Sequence, residues 1–185
     1  MRDLSLHLLD LAQNSITAGA SLVTIRLTLG EDRMLTMELI DNGKGMSPEL
    51  LARVTSPFAT TRTTRKVGLG IPLLMQNAQL SGGGVRIRSK VGEGTLIEAD
   101  FHTDSIDCLP LGDLASTMAT IIMGSPDKPE FSLVCTGPAG EMSFSTEEIR
   151  AALGGEVSLA EPGVVQWIQQ SLQEEIEPIL GGIMQ

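Results

Sequence analysis

The first segment of the chain has the hydrophobic period of an α-helix. Apolar and small residues recur every three or four positions over residues 3–18, which predicts one buried helical face. That face is formed by Leu4, Leu8, Leu11, Ala12 and Ser15. At about 100° per residue, a neighbouring stripe carries the polar residues Asp3, His7, Asp10 and Asn14. The segment therefore predicts an amphipathic helix that presents a row of polar groups beside the core.

The segments that follow have the composition and alternation of β-strands. Residues 22–29 and 34–40 are rich in β-branched and long apolar side chains, and the short polar turn between them predicts a hairpin. Residues 85–90 and 95–101 form a second pair around a glycine turn. Between the two pairs, the apolar run from Ile71 to about Ser81 predicts a helix.

Both the pattern and the charge change after residue 103. Residues 1–102 hold 11 Lys and Arg against 10 Asp and Glu, whereas residues 103–185 hold 2 against 13. Residues 111–122 are typical of a buried helix, and residues 131–135 with 141–144 predict a hairpin. We therefore expect one domain over residues 1–102 and an acidic C-terminal α/β appendage over residues 103–185.

Two sequence signals predict helix starts in the acidic part. Ser145 followed by Glu148 has the spacing of a capping box. Ser158 followed by Glu161, with Pro162 just inside, predicts the start of another helix.

Composition excludes several classes of partner. A net charge of −10 without a basic stripe, and an aromatic content of 3%, argue against binding to nucleic acid. No apolar run reaches the ~20 residues needed to cross a bilayer. We therefore expect no membrane partner and a cytoplasmic protein. Cys108 and Cys135 form no CxxC pair, so reduced thiols are expected rather than a disulfide.

Four short motifs with the residue types of a ligand site follow one another within the first 102 residues. They are Asp10 to Asn14, Asp41 to Met46, Ser56 to Arg62 with Gly68 to Gly70, and Gly92 to Thr95. In this order and at these separations, they resemble the GHKL ATP-binding domain. That superfamily includes gyrase, the large heat-shock chaperones, sensor histidine kinases and mismatch-repair ATPases. Each motif alone is weak evidence, so the resemblance depends on their order.

The resemblance covers roughly residues 1–102 and implies a fold and cofactors. The implied fold is an α+β two-layer sandwich, a Bergerat-type mixed sheet covered by helices on one face, with the small α/β appendage after it. The implied cofactors are ATP and Mg²⁺.

The resemblance also implies a role for each motif. Asn14 would offer Mg²⁺ one amide oxygen, while phosphates and water complete its shell. Asp41 would accept a hydrogen bond from the adenine amine, and Gly43 and Gly45 would let the backbone approach the ligand. Further nucleotide-binding positions implied in this way are Met46, Phe58, Thr61, Arg62, Gly68, Leu69, Gly70 and Thr95. Ordinary explanations stay open for several: a capping Asn14, a surface turn at Asp41, strand propensity for Thr95 and core packing for Phe58.

Asp10 is a candidate general base. In the hydrolytic branch of the superfamily the matching position holds a Glu that activates water. The shorter Asp10 stem retracts the carboxylate, and base catalysis needs hydrogen-bond reach of ~3 Å. Asp10 could instead hold magnesium-bound water. His7, one turn earlier, could orient Asp10, accept a phosphoryl group or simply pack.

The amino-acid sequence of residues 56–70 is most similar to that of histidine-kinase catalytic domains. Because the chain starts at the nucleotide-binding helix, we expect a stand-alone unit without a phosphoacceptor hairpin. The leading hypothesis is a magnesium-dependent ATP-binding protein that phosphorylates or conformationally controls a protein partner, which docks on residues 103–185. The alternatives are an ATP-gated interaction module without phosphotransfer and a slow ATPase. A homodimer is compatible with all three hypotheses.

Overall fold

The opening helix forms where the hydrophobic period predicts it. Helix α1 spans Leu4–Thr17, and the side chain of Asp3 caps it by accepting a hydrogen bond from the Leu6 N–H at 3.0 Å. All five residues predicted on its apolar face are buried. Gly19 follows the helix with a φ of +74°, a left-handed conformation that favours glycine at a helix end.

A computed structural model describes residues 2–56 and 70–184 of the chain. The strands are β1 (Leu22–Leu29), β2 (Met34–Asp41), β3 (Gly84–Lys90), β4 (Gly94–His102), β5 (Glu130–Gly137) and β6 (Gly140–Ser145). The remaining helices are α2 (Pro48–Val54), α3 (Gly70–Leu80), α4 (Leu114–Gly124), α5 (Thr146–Ala152) and α6 (Pro162–Leu180), with a 3-10 turn at Gly181–Ile183. Most predicted elements are confirmed to within a residue or two at each end.

The strands form one mixed sheet with the order β3-β4-β2-β1-β5-β6. All neighbouring pairs are antiparallel except β1 and β5, which are parallel. Side chains alternate across the sheet: Val23, Ile25 and Leu27 are buried, whereas Arg26 lies on the exposed face. Because helices α1, α3, α4 and α6 share a single hydrophobic core with the buried face, the predicted two-layer arrangement is confirmed.

The sheet does not break at residue 103. Strand β5 pairs with β1 from Leu22↔Glu130 to Thr28↔Thr136. The Thr117 hydroxyl of α4 also donates to the Ser5 hydroxyl of α1 at 3.1 Å. The change in charge at residue 103 therefore falls inside a shared sheet and core. The division into a domain of residues 1–102 and an appendage of residues 103–185 stays a prediction.

Of the two predicted helix starts of the acidic part, the first is confirmed in position and the second needs correction. Helix α5 begins directly after Ser145, which is its N-cap residue, but the Ser145 side chain makes no capping hydrogen bond. The second helix does begin at Pro162, but Glu161 rather than Ser158 occupies its N-cap position. The Ser158 hydroxyl instead accepts a hydrogen bond from the Ala160 N–H at 3.2 Å.

The thiols agree with the expectation of reduced cysteines. Cys108 is half-buried, Cys135 is buried, and both are free. Burial raises the pKa of Cys135 to about 12, so this thiol stays protonated near neutral pH. Within the described ranges, no helix has the length and apolarity to cross a membrane.

Candidate functional site

A cavity of about 200 Å³ opens between α1, the end of β2 and the start of α3. Its apolar lining comes from Leu11, Met46, Leu50, Val54, Ile71 and Ile97. Its polar lining includes Asn14, Ser15, Asp41, Lys44 and Thr95. Five residues predicted to bind a ligand, Asn14, Asp41, Gly45, Met46 and Thr95, therefore converge on one cavity, although they come from separate segments.

Asp41 is the buried acid of this cavity. It ends β2 with only 8% of its surface exposed. One carboxylate oxygen accepts a hydrogen bond from the Ser15 hydroxyl at 2.7 Å, and the other accepts from the Gly43 N–H at 2.9 Å. Because each carboxylate oxygen can accept more than one hydrogen bond, Asp41 is held in place yet keeps acceptor capacity for a ligand.

Thr95 lies beside Asp41 on the same face of the sheet. The two residues are direct partners in the antiparallel pairing of β2 with β4. The Thr95 hydroxyl lies 2.9 Å from the hydroxyl of Ser89 on β3. Ser89 in turn accepts a hydrogen bond from the Met46 N–H at 2.8 Å. A continuous hydrogen-bonded chain therefore joins Thr95 to the loop that follows β2.

The glycines of this loop make room for neighbouring protein segments. Gly45 has a φ of +67°, and a Cβ there would lie 2.0 Å from the carbonyl oxygen of Lys90. A Cβ at Gly43 would lie 2.9 Å from that of Ala18. The close approach of these segments is enough to require glycine, so contact of Gly43 or Gly45 with a ligand stays a prediction.

The loop after β2 is tied down on both sides. The Lys44 N–H donates to the carbonyl of Ala18 at the end of α1, at 3.0 Å. The Lys44 carbonyl accepts from the Gly92 N–H in the β3–β4 turn, at 2.8 Å. Asn42 accepts from the N–H groups of Ser21 and Leu22 at 2.8 and 3.0 Å, so its side chain serves the α1–β1 connection.

Asp10 and Asn14 form a second, more open group on α1. Both side chains are exposed, and neither hydrogen-bonds to another residue within 2–56 and 70–184. A Cβ at Gly70, the first residue of α3, would lie 3.2 Å from a carboxylate oxygen of Asp10. The amino end of α3 therefore meets this carboxylate, an arrangement that the helix dipole favours.

Some of the predicted ligand-binding residues belong to the segment between residues 56 and 70. Phe58, Thr61, Arg62, Gly68 and Leu69 lie outside the described residues, so their predicted roles stay predictions. Gly70 is described and lies against Asp10.

His7 packs between α1 and α3. It is 1% exposed, and its Nε2 lies 2.8 Å from the amide nitrogen of Asn77. Its Nδ1 is buried and has no hydrogen-bond partner among the described residues. Burial lowers the pKa of His7, so the ring is neutral near pH 7. Of the three roles considered for His7, packing is the one that its burial favours.

Sequence reasoning missed Ser15 and Ser89 as parts of the site. Ser15 fits the apolar face of α1, and its hydroxyl was not distinguished from the core positions around it. Ser89 lies in a regularly alternating strand with no local signal. The fold brings Ser15 to Asp41, 26 residues later, and Ser89 to the Met46 N–H, 43 residues earlier, whereas Thr95 lies only six residues from Ser89 across the β3–β4 turn.

Comparison with known proteins finds a family model and several relatives that match the first part of the chain. The family model described as histidine kinase-, DNA gyrase B- and HSP90-like ATPase matches residues 2–105. A sensor-like histidine kinase of Rhizobium meliloti is 36% identical over 105 residues, covering 53% of this chain and 20% of the relative. Histidine protein kinase DivJ of Caulobacter vibrioides is 34% identical over 102 residues, covering 52% of this chain and 17% of the relative.

Other relatives agree with these matches. Sporulation kinase D of Bacillus subtilis is 29% identical over 89 residues, covering 48% of this chain and 17% of the kinase. The chain thus spans a fifth or less of the length of these curated relatives.

Among solved structures, the N-terminal domain of a DNA repair protein superposes with a TM-score of 0.50 at 14% identity, covering 78% of this chain and 52% of that one. At this identity the match supports the fold alone.

Proposed function

The chain belongs to the histidine kinase-, DNA gyrase B- and HSP90-like ATPase family, and we propose that its cavity binds ATP together with Mg²⁺ to phosphorylate or conformationally control a protein partner. ATP binding follows from the family. The metal, the phosphoryl transfer and the partner are the steps proposed here.

The observation that best supports this proposal is that a buried acid, Asp41, lines a mainly apolar cavity. Asp41 is fixed by Ser15 and Gly43 and lies beside Thr95, so two oxygen acceptors are available at one end. A purine with an exocyclic amine can donate to such acceptors while its ring contacts apolar side chains such as Met46 and Ile97.

The size of the cavity fits the base rather than the whole nucleotide. Pockets for drug-sized ligands are roughly 300–1,000 Å³, and this cavity is about 200 Å³. We therefore place the base inside and the ribose and phosphates toward α1 and the amino end of α3. Helix amino ends favour phosphate through their free N–H groups and dipole.

The exposed Asn14 suits a magnesium ion that arrives with ATP. Mg²⁺ prefers oxygen ligands and usually keeps several waters besides substrate phosphates. Asn14 lines the same cavity as Asp41 and offers one neutral amide oxygen. In this proposal the metal neutralises phosphate charge, and Asn14 fixes where that charge lies.

A protein partner would supply the acceptor group. Phosphoryl transfer depends mainly on positioning and charge neutralisation, so this chain needs to hold ATP and present it. Residues 103–185, with 13 acidic and 2 basic residues, are the proposed docking surface.

The proximity of Asp10 to Gly70 favours a slow ATPase as the second candidate. Its carboxylate lies against the start of α3, the end toward which we place the phosphates. An ATP-gated interaction module without chemistry is the third candidate, in which nucleotide changes only the surface offered to a partner.

Incubation of the full chain with γ-labelled ATP, with and without candidate partners, separates these functions. We expect label on a partner protein, dependent on Mg²⁺. Released phosphate without labelled protein would support the ATPase instead. Saturable binding with neither product would support the interaction module, and no binding at all would overturn the proposal.

A further inference from the structure

We propose that Ser89 is a positioning residue that turns Thr95 into a hydrogen-bond acceptor, so that the base end of the cavity selects a purine with a 6-amino group over one with a 6-oxo group. The inference rests on the proposed ATP binding and adds the residue that sets base selectivity. Ser89 itself does not line the 200 Å³ cavity, although with Asp41 and Thr95 it lines a neighbouring open depression of the surface.

The hydrogen bonds of Ser89 fix the direction of its proton. Its hydroxyl lies within hydrogen-bond distance of three groups: the Met46 N–H at 2.8 Å, the Gly94 carbonyl at 2.9 Å and the Thr95 hydroxyl at 2.9 Å. A serine hydroxyl donates once and accepts up to twice. It must accept from Met46, which is a donor only, and donation to the Gly94 carbonyl uses its single proton.

Thr95 is then the donor in its contact with Ser89. This assignment satisfies all three partners at once, whereas donation from Ser89 to Thr95 would leave the Ser89–Gly94 contact without a proton. With its own proton directed at Ser89, the Thr95 hydroxyl offers the cavity only lone pairs. Ser89 therefore determines that the Thr95 hydroxyl acts as a hydrogen-bond acceptor toward the cavity.

Asp41, next to Thr95, is also a hydrogen-bond acceptor. The carboxylate accepts from Ser15 and Gly43 and has no proton to give as an ion. Because Asp41 and Thr95 are direct cross-strand partners, their side chains lie side by side. The base end of the cavity thus presents two adjacent acceptors.

Two acceptors discriminate between purines by a simple rule. The 6-amino group of adenine carries two N–H donors and can satisfy them. Hypoxanthine has one donor here, its N1–H, next to a 6-oxo acceptor. It can therefore satisfy one of the two protein acceptors, but its oxo group faces the other and leaves both unpaired. Removing one partner of a buried hydrogen bond usually costs much more than the bond contributes on balance.

Affinities for ATP and inosine triphosphate, measured by calorimetry on the full chain with Mg²⁺, test this inference. The two ligands share the ribose and triphosphate and differ in the ring around position 6. We expect the parent to prefer ATP by about tenfold or more, since one mispaired acceptor contributes roughly a factor of ten. In Ser89→Ala the ratio should fall about tenfold, because Thr95 is free to turn its proton toward the cavity.

Matched variants separate positioning from general damage. Ser89→Thr keeps the hydroxyl in a residue suited to a strand and should restore the ratio. Ser132→Ala removes a serine hydroxyl from β5 of the same sheet and should leave the ratio unchanged. If Ser89→Ala does not fold, Thr95→Val tests the same point, since it removes the acceptor and keeps the Met46 and Gly94 contacts of Ser89; the ratio should again fall.

The outcomes are distinguishable. Equal losses of both affinities in Ser89→Ala, with the ratio unchanged, would mean that Ser89 only supports the fold and would overturn the inference while ATP binding stands. A parent chain that binds neither nucleotide would overturn the proposed function, and this inference with it.

Discussion

The two ends of the candidate site hold their polar groups in different ways. At the base end, Asp41 is buried and accepts hydrogen bonds from Ser15 and Gly43. At the end where we propose that the phosphates lie, the side chains of Asp10 and Asn14 are exposed and make no hydrogen bond within the described ranges. One end is fixed by the sheet, whereas the other depends on two side chains projecting from a single helix.

This difference assigns separate tasks to the two ends. Groups that are already oriented lose little freedom when a ligand binds, so we expect those around Asp41 to contribute selectivity and affinity for the base. Exposed groups remain hydrated until phosphates and metal arrive. We therefore expect changes at the base end to affect recognition and stability together, and changes at the phosphate end to affect metal dependence or chemistry alone.

The largest expected effect follows from Asp41→Ala. It removes the acceptor for the base and leaves the Ser15 hydroxyl and the Gly43 N–H without their partner. ATP affinity should fall about 100-fold or more, and the free energy of unfolding should drop by about 1–3 kcal/mol. Calorimetry and urea unfolding measure the two quantities.

Asp100→Ala is the matched control for Asp41→Ala. Asp100 lies on β4 and accepts from the Thr36 hydroxyl at 2.8 Å, but it projects from the opposite face of the sheet. Its removal should leave ATP affinity unchanged. Equal ATP affinities for Asp41→Ala and the parent would contradict the role assigned to the base end.

Asp10→Asn should affect rate without affecting binding. If the chain releases phosphate from ATP, loss of the carboxylate should slow that release about 100-fold, the lower range for a general base. The affinity for ATP should stay within about twofold, because Asp10 lies outside the residues that line the cavity. Single-turnover phosphate release gives the rate, and an unaltered rate would remove Asp10 from the chemistry.

Asn14→Ala should affect the metal-dependent part of binding. Without the amide oxygen, the gain in ATP affinity on adding Mg²⁺ should shrink about tenfold, as for the loss of one strong contact. The fold should persist because Asn14 is exposed. Gln13→Ala, the neighbouring exposed position on α1, is the control. An undiminished magnesium effect in Asn14→Ala would place the metal elsewhere.

The smallest expected effect concerns His7, which belongs to neither end. Burial lowers its pKa below the ordinary 6.5. As pH falls through 6.5, the unfolded chain takes up a proton that the folded chain does not, so stability is full above 6.5 and declines until the folded pKa is reached.

His7→Gln should remove this decline in stability below pH 6.5, and chemical unfolding at several pH values measures it. His102→Gln, at the exposed end of β4, should leave the decline in place. A pH profile that His7→Gln does not alter would show that other groups cause the decline.

The sequence predicts the local parts of this fold well. The three- and four-residue spacing from Leu4 to Ser15 determines which face of α1 is buried, and the structure confirms it. The strands before residue 103 are also found close to their predicted bounds. These features depend on residues that are close together in the sequence, so the local pattern of apolar and polar residues is enough to predict them.

Features that depend on distant residues were not predictable in the same way. Nothing in residues 130–137 specifies that they pair in parallel with β1, more than 100 positions earlier. At Ser145, where β6 still pairs with β5, the predicted capping hydrogen bond is not formed, although the helix begins there. The hydrogen bond from the Met46 N–H to Ser89 likewise joins residues 43 positions apart.

The most direct test of the account is a crystal structure of the full chain with Mg²⁺ and a non-hydrolysable ATP analogue. We predict the adenine amine within about 3 Å of the Asp41 carboxylate and the metal about 2.1 Å from the Asn14 amide oxygen. A nucleotide bound outside this cavity, or a base turned with its amine away from Asp41, would contradict the account.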